Sequence, residues 1–310
     1  MNFIVFLTGG LGNQLFQTAN ALSKAKGDPS KILFEVQAGN PRSSFSGKPE
    51  VFDYLRFEPR KIALKTNSFI SKLFGLNIRF SSHTLSTRSK IFEKNLLAFF
   101  TSITVSLFNL KVIRVLVNNG LGYDSASASF KSRLNTVMIG YFQSYLFFEN
   151  KYLSHNLQIK DKNRRIEILR IKDNFKLKNV VAIHVRRGDY LQEKNFGVLE
   201  VEYYVAAVEY FKKIGYNDFL IFSDEIEEAK NIFTSCHSSN IRYFEVSGLS
   251  SCETLEIMEH AGGFIIANST FSWWAAYLRK NISAPVVAPT NWFTSINEPN
   301  QLIPTSWVRI

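Results

Sequence analysis

The chain is short of the residues that would place it in several common classes. It has two cysteines, Cys236 and Cys252, and neither lies in a Cys-x-x-Cys pair. That excludes a disulfide framework or a zinc ribbon and fits a reducing compartment. No Asp-x-Asp occurs anywhere, so the usual carboxylate pair that holds Mg²⁺ or Mn²⁺ on a pyrophosphate is missing. The glycine loop Gly9-Gly10-Leu11-Gly12-Asn13-Gln14 has Leu15 where the dinucleotide fingerprint needs its last glycine, and no Gly-Lys-Ser/Thr follows. Neither NAD binding nor ATP hydrolysis is therefore indicated. The uncharged run Asn95–Leu110 is shorter than the roughly 20 apolar residues of a membrane-spanning helix. Met1 leads straight into FIVFL, with no basic segment and no small-residue cleavage site, so no secretory leader is expected and the site of action is expected to be the cytoplasm.

What is present is basic and two-sided. Over 310 residues the net charge is +11, but residues 1–175 carry 25 Lys/Arg against 11 Asp/Glu, and residues 176–310 carry 12 against 15. The excess peaks between Pro59 and Asn118, where ten basic residues face the single acid Glu93 among Phe, Leu and Ile. Such a stretch reads as a basic helical insert, with an anionic membrane surface or nucleic acid as possible contacts and a solvated face as the plain alternative. The chain holds no motif that reads DNA or RNA, so a nucleic-acid partner is not expected.

The length accommodates two domains, divided near 175/176. In the first, residues 2–8 form an apolar strand that runs through the glycine loop into a helix with Leu15, Phe16, Ala19 and Leu22 on one face. A strand–glycine–helix opening leaves free amides at the helix start, a place for an anion, and Asn13 and Gln14 add side-chain amides suited to sugar hydroxyls or phosphate oxygens. Residues 31–36 and 137–142 read as strands, and 66–118 as helical.

From Asn179 the alternation is regular: strands at 179–185, 218–222, 241–246, 263–267 and 285–289, separated by helices of about ten residues. That pattern predicts βαβ units and a parallel sheet. Polar clusters then fall at three strand ends, His184-Val185-Arg186-Arg187-Gly188-Asp189, Ser223-Asp224-Glu225 and Asn268-Ser269-Thr270, where open α/β sheets bind ligands. Two adjacent arginines there suit a phosphate. Ser269 and Thr270 open a helix, and their hydroxyls and amides serve equally for phosphate binding or for plain N-capping.

Four segments together, GGLGNQLFQ at the N-terminus, GYFQSYLFF at 140–148, HVRRGDY at 184–190 and ANSTFSWWAAYL at 267–278, resemble the motif set of the bacterial α-1,2-fucosyltransferases. The first arginine of His-x-Arg-Arg-x-Asp is shared with the wider α-1,2/α-1,6/O-fucosyltransferase superfamily. The resemblance implies a GT-B-like α/β fold, with two Rossmann-like domains facing across a donor cleft, residues 1–175 on the acceptor side and 176–310 holding the nucleotide sugar. It implies GDP-fucose as donor, no metal or other cofactor, and inverting transfer to the 2-OH of a galactose-terminated glycan of the O-antigen type. A lipid-linked acceptor and peripheral contact with the inner face of the membrane go with that expectation.

By the same resemblance Arg186 meets the β-phosphate, with Ser269, Thr270 and Phe271 beside it and Gly12 and Asn13 of the glycine loop closing from the other domain. His184, on the same side of an extended strand as Arg186, is assigned to guanine or ribose, with a structural hydrogen bond as the equal alternative, and Asp224 and Glu253 are candidates for the nucleotide contact. Asp189 is assigned to orienting Arg186 or Arg187, and Arg187 to a structural role. Glu253 also opens a helix, where a carboxylate ordinarily serves the helix dipole. Thr18 stands where the family usually has Tyr. Other regiochemistry, α-1,6 or O-linked, is the alternative, and a basic nucleic-acid-binding protein is a distant one. No general base is identifiable from the sequence.

Overall fold

A computed structural model describes residues 1–35, 48–62, 113–118, 121–131, 133–188, 197–234, 240–295 and 297–310. Two compact units divide the chain: Met1–Gln158 with Pro299–Leu302, and Ile159–Glu298 with Ile303–Ile310.

The first unit opens with β1 (Phe3–Phe6) and α1 (Leu11–Lys24), followed by β2 (Ile32–Glu35), β3 (Lys61–Ile62), β4 (Ile113–Val117), the short α2 (Ser125–Ser129), β5 (Asn135–Ile139) and the single turn α3 (Asn150–Leu153). Its five strands are all parallel, in the order β3-β2-β1-β5-β4. Helix α1 forms because Leu11, Leu15, Phe16, Ala19 and Leu22 make an apolar face, and all five are buried. It ends where Lys26 and Gly27 turn to positive φ, the Gly27 amide returning 2.8 Å to the Leu22 carbonyl. The expected helical insert is corrected at both ends, since Lys61–Ile62 and Ile113–Val117 are strands. Isoleucine and valine at 113, 115 and 117 recur at the strand period of two. Residues 63–112, where the basic excess lies, are outside the described residues.

The second unit contains α4 (Lys162–Asn174), β6 (Val181–Val185), α5 (Val201–Lys213), β7 (Asp218–Ser223), α6 (Ile226–Ile232), β8 (Asn240–Tyr243), α7 (Ser251–Met258), β9 (Gly263–Ile265), α8 (Thr270–Tyr277), β10 (Val286–Ala288) and β11 (Val308–Arg309). The chain enters this unit ahead of α4, which buries Ile168 and Ile171 and packs on α7. The strands are parallel in the order β11-β10-β9-β6-β7-β8. Every residue of β6 is buried, as expected of a central strand covered on both faces. Val181, Ile183 and Val185 join Phe211, Phe219, Ile221 and Ile265 in one core. Each such side chain stabilises the fold by roughly 1.5–3 kcal/mol relative to exposure.

Candidate active site

In the second unit the strand order places β8, β7 and β6 on one side and β9, β10 and β11 on the other, so the order of the strands reverses between β6 and β9. This is the dinucleotide-fold order, and in sheets of that order ligands bind outside the carboxyl ends of the two strands at the reversal. His184 is the fourth residue of β6, Arg186 and Arg187 follow its end, and Asn268–Ser269 connect β9 to α8.

Strand register explains how the side chains meet. Val185 pairs with Ser223, so the next residues on each strand, Arg186 and Asp224, leave the sheet side by side. Asp224 Oδ2 lies 3.0 Å from Arg186 Nη1, and its Oδ1 accepts a 3.2 Å hydrogen bond from the Arg187 amide. One carboxylate thus fixes the guanidinium and the backbone that carries it. Gly188 makes room for this arrangement, since a Cβ there would lie 2.5 Å from Asp224 Oδ2. The Arg186 side chain keeps 31% of its surface exposed, so a ligand can reach its face. Arg187 turns to Glu228 on α6, 3.9 Å from Nη2 to Oε2.

His184 is buried, its ring tilted against Phe271 at 5.4 Å between centroids, and the hydroxyl of Tyr204 reaches its carbonyl at 3.4 Å. Burial, and then the charge of Arg186, push the imidazole pKa down from 6.5 to about 3. The ring is neutral in the folded chain, and its Nδ1 has no partner among the described residues. Between about pH 6.5 and 3 the unfolded chain holds a proton here that the folded chain does not. This residue's contribution to stability is therefore complete above pH 6.5 and is lost as pH falls toward 3. Ring resonances of His184 are expected to stay constant from pH 8 to 5 in an NMR titration. A midpoint near 6.5 would contradict the buried, neutral assignment.

The Ser269 side chain caps α8 by accepting from the Phe271 amide at 3.4 Å, and its carbonyl accepts from Ser272 Oγ at 3.2 Å. Thr270 and Phe271 are the first two residues of that helix, whose N-terminal end favours negative charge. His184, Arg186, Arg187, Asp224 and Phe271 are thus linked, with Ser269 and Thr270 at the same helix start.

Glu253 is engaged elsewhere. It forms a capping box with Ser250, its Oε2 accepting from the Ser250 amide at 2.7 Å, and Arg164 of α4 grips both of its oxygens. Hydrogen bonding from Arg164 first, and from Ser250, holds its pKa down from 4.5 to about 2. The carboxylate thus ties α4 to α7, and the Ser-x-x-Glu spacing carries that signal in the sequence. Asp189 lies outside the described residues.

The first unit has its own reversal of strand order at β1, between β2 and β5. The glycine loop follows β1, and Gly140–Gln143 follows β5. There Gln143 Nε2 donates to Asn13 Oδ1 at 2.8 Å, and Gln17 Nε2 donates to the Thr8 hydroxyl at 2.8 Å and the Gly140 carbonyl at 3.1 Å. Two of the four sequence motifs meet through these amides. Phe142 sits at φ 53, a conformation a bulky residue adopts only when held, and its amide donates 3.0 Å to Asn118 Oδ1. Gly12 is buried within the first turn of α1 and Asn13 is half-buried beside it.

Comparison with known proteins settles the class of chemistry. The sequence profile of glycosyl transferase family 11 matches residues 2–310. The chain belongs to glycosyl transferase family 11. This family 11 enzyme is therefore a glycosyltransferase. It is 26% identical to an alpha-1,2-colitosyltransferase of Escherichia coli over 98% of this chain and 97% of that protein. It is 34% identical to the O-antigen biosynthesis glycosyltransferase WbnK of Escherichia coli over 43% of this chain and 45% of the other.

Among solved structures, fucosyltransferase NodZ from Bradyrhizobium superposes with a TM-score of 0.55 at 14% identity, covering 96% of this chain and 98% of NodZ. NodZ alpha-1,6-fucosyltransferase co-crystallized with GDP gives 0.53 at 13% identity, covering 89% and 91%. At that identity the likeness is one of fold. The α/β architecture, with a parallel sheet in each of two units, is GT-B-like as expected. Among the described residues no helix is long and apolar enough to cross a membrane.

Proposed function

We propose that this family 11 enzyme transfers fucose from GDP-β-L-fucose to the 2-OH of a galactose-terminated glycan of the O-antigen type, with inversion to the α-fucoside. The observation that carries the reading is Arg186, held by Asp224 at the strand-order reversal of the second unit and sharing that edge with the start of α8. The breaking bond is C1–O of the fucosyl phosphate, and its electron pair goes to the β-phosphate of the departing GDP. A bidentate guanidinium and a helix start are aimed at charge that grows as this bond lengthens, a contribution usually among the largest in catalysis. Arg186, Ser269, Thr270 and Phe271 carry this role, with Gly12 and Asn13 of the glycine loop at the sugar. Because the phosphate charge is met in this way, transfer proceeds without a metal or other cofactor. His184 stays neutral beside the nucleotide, and Asp224 serves through Arg186. A lipid-linked form of the acceptor, met at the inner face of the membrane, belongs to the same reading.

The relative of nearly full length that transfers colitose supports a second reading, in which the donor sugar is colitose. Direct competition separates the two. With equimolar GDP-fucose and GDP-colitose and a panel of β-galactosides, fucosyl product is expected to predominate. Exclusive colitosyl product would give the site to the second sugar.

A further inference from the structure

Helix α1 begins after Gly9 and Gly10, so its first turn has neither a capping side chain from its N-cap residue nor an acid of its own. The missing group comes from far along the chain. Glu50 Oε2 accepts from the Leu11 amide at 2.9 Å. The adjoining Val51 amide donates to Gln14 Oε1 at 3.1 Å, and Gln14 Nε2 donates to the Gly9 carbonyl at 2.9 Å. Loop, helix and the turn at Glu50–Tyr54 therefore close a single hydrogen-bonded circuit. Gly9 itself sits at φ 74, and a Cβ there would collide with the Asn13 side chain, which lies across it.

Two consequences follow from charge and geometry. A carboxylate on the leading amide of α1 satisfies the positive end of that helix, so a phosphate brought to the same amide would meet a like charge. The loop is therefore not a phosphate cradle at Leu11, which revises the expectation of an anion site there. What it presents is the Asn13 amide, whose position depends on the backbone that Glu50 holds and on Gln143 behind it. The Oε1 of Gln143 is itself buried, with no partner among the described residues, so Gln143 meets Asn13 from the protein side.

We infer that Glu50 is a positioning residue for the transfer reaction, acting through Asn13 on the sugar and not on the nucleotide. This rests on the reading of Asn13 as a sugar contact in the proposed reaction. The test compares Glu50→Ala, Glu50→Gln, Asn13→Ala and the double variant in the full-length protein, with kcat, donor KM and the GDP dissociation constant measured for each. Glu50→Ala is expected to lower kcat about 10- to 100-fold, the size of effect that misplacing a contact by about an ångström produces. GDP affinity should stay within about twofold, because the phosphate contacts lie elsewhere.

Glu50→Gln keeps an oxygen that can accept from Leu11 and should retain most activity, and added sodium formate should restore part of it to Glu50→Ala but none to Asn13→Ala. The double variant should be no worse than Asn13→Ala alone. If Glu50→Ala does not fold, Glu50→Asp, whose shorter carboxylate falls short of the Leu11 amide, takes its place. Unchanged kcat in Glu50→Ala, weakened GDP binding, or equal damage from Glu50→Gln would each overturn the inference. Full activity in Asn13→Ala would instead remove the sugar contact from the proposed function, whatever Glu50→Ala does.

Discussion

Replacing Arg186 by lysine is expected to lower kcat by about 10²- to 10³-fold, the cost of removing one oriented donor from developing negative charge. Charge is conserved in the substitution, so the loss measures geometry. Arg186 is held at one corner by Asp224, 3.0 Å away, and its planar fork divides its N–H groups among directions that this bond fixes. An ammonium has no such division of labour, and on a shorter reach it satisfies Asp224 or the ligand but not both. The donor KM should change far less than kcat, because the interaction strengthens as the C1–O bond breaks. Steady-state rates with GDP-fucose decide the matter. A lysine variant with kcat near wild type would remove Arg186 from the leaving-group role.

The second large effect is on stability. Trp273 is fully buried in α8, stacked on Tyr277 at 4.6 Å and 10°, edge-on to Trp274 at 5.1 Å, and 5.6 Å from Trp307. Trp273→Ala is expected to cost about 3–5 kcal/mol, because the cavity left among rigid rings cannot collapse. Urea titration followed by circular dichroism should show an earlier transition for the unit that contains α8. Activity should fall as well, since Trp273 anchors the helix whose first residues are Thr270 and Phe271. Trp273→Phe, which refills most of the volume, should recover much of both. A fall of less than about 1 kcal/mol in Trp273→Ala would mean that α8 does not depend on this packing.

Much of this architecture is legible in the sequence. The β/α alternation from Asn179 to Pro289 is carried by short β-branched runs and helical intervals, and each expected strand there is present within a few residues of its bounds. The clustering of Arg186, Asp224 and Ser269 at one sheet edge follows from the same alternation, because a parallel sheet brings all strand ends to one side. The pairing of Arg186 with Asp224 was not readable, since it depends on register between β6 and β7, and a one-residue slip would have separated them. The sequence points to Asp224 as a candidate nucleotide contact, and in the structure its carboxylate pairs with Arg186.

Glu253 had a local signal, the capping box with Ser250, but its grip by Arg164 joins residues far apart in sequence and leaves no periodic trace. The same holds for Glu50 and the Leu11 amide. A carboxylate that caps a distant helix looks in sequence like any exposed acid. Three strands leave little trace for a simpler reason. Ile113–Val117 lies at the end of a basic, apolar stretch that reads as helix, and Lys61–Ile62 and Val308–Arg309 are too short to show a period.

The most direct measurement is the configuration and linkage of the product formed from GDP-fucose and a β-galactoside in the presence of EDTA, read by proton and carbon NMR. Undiminished formation of an α-fucoside on O2 of galactose is the expected result. A β-fucoside, substitution at another hydroxyl, or transfer abolished by EDTA and restored by Mg²⁺ or Mn²⁺ would contradict the account.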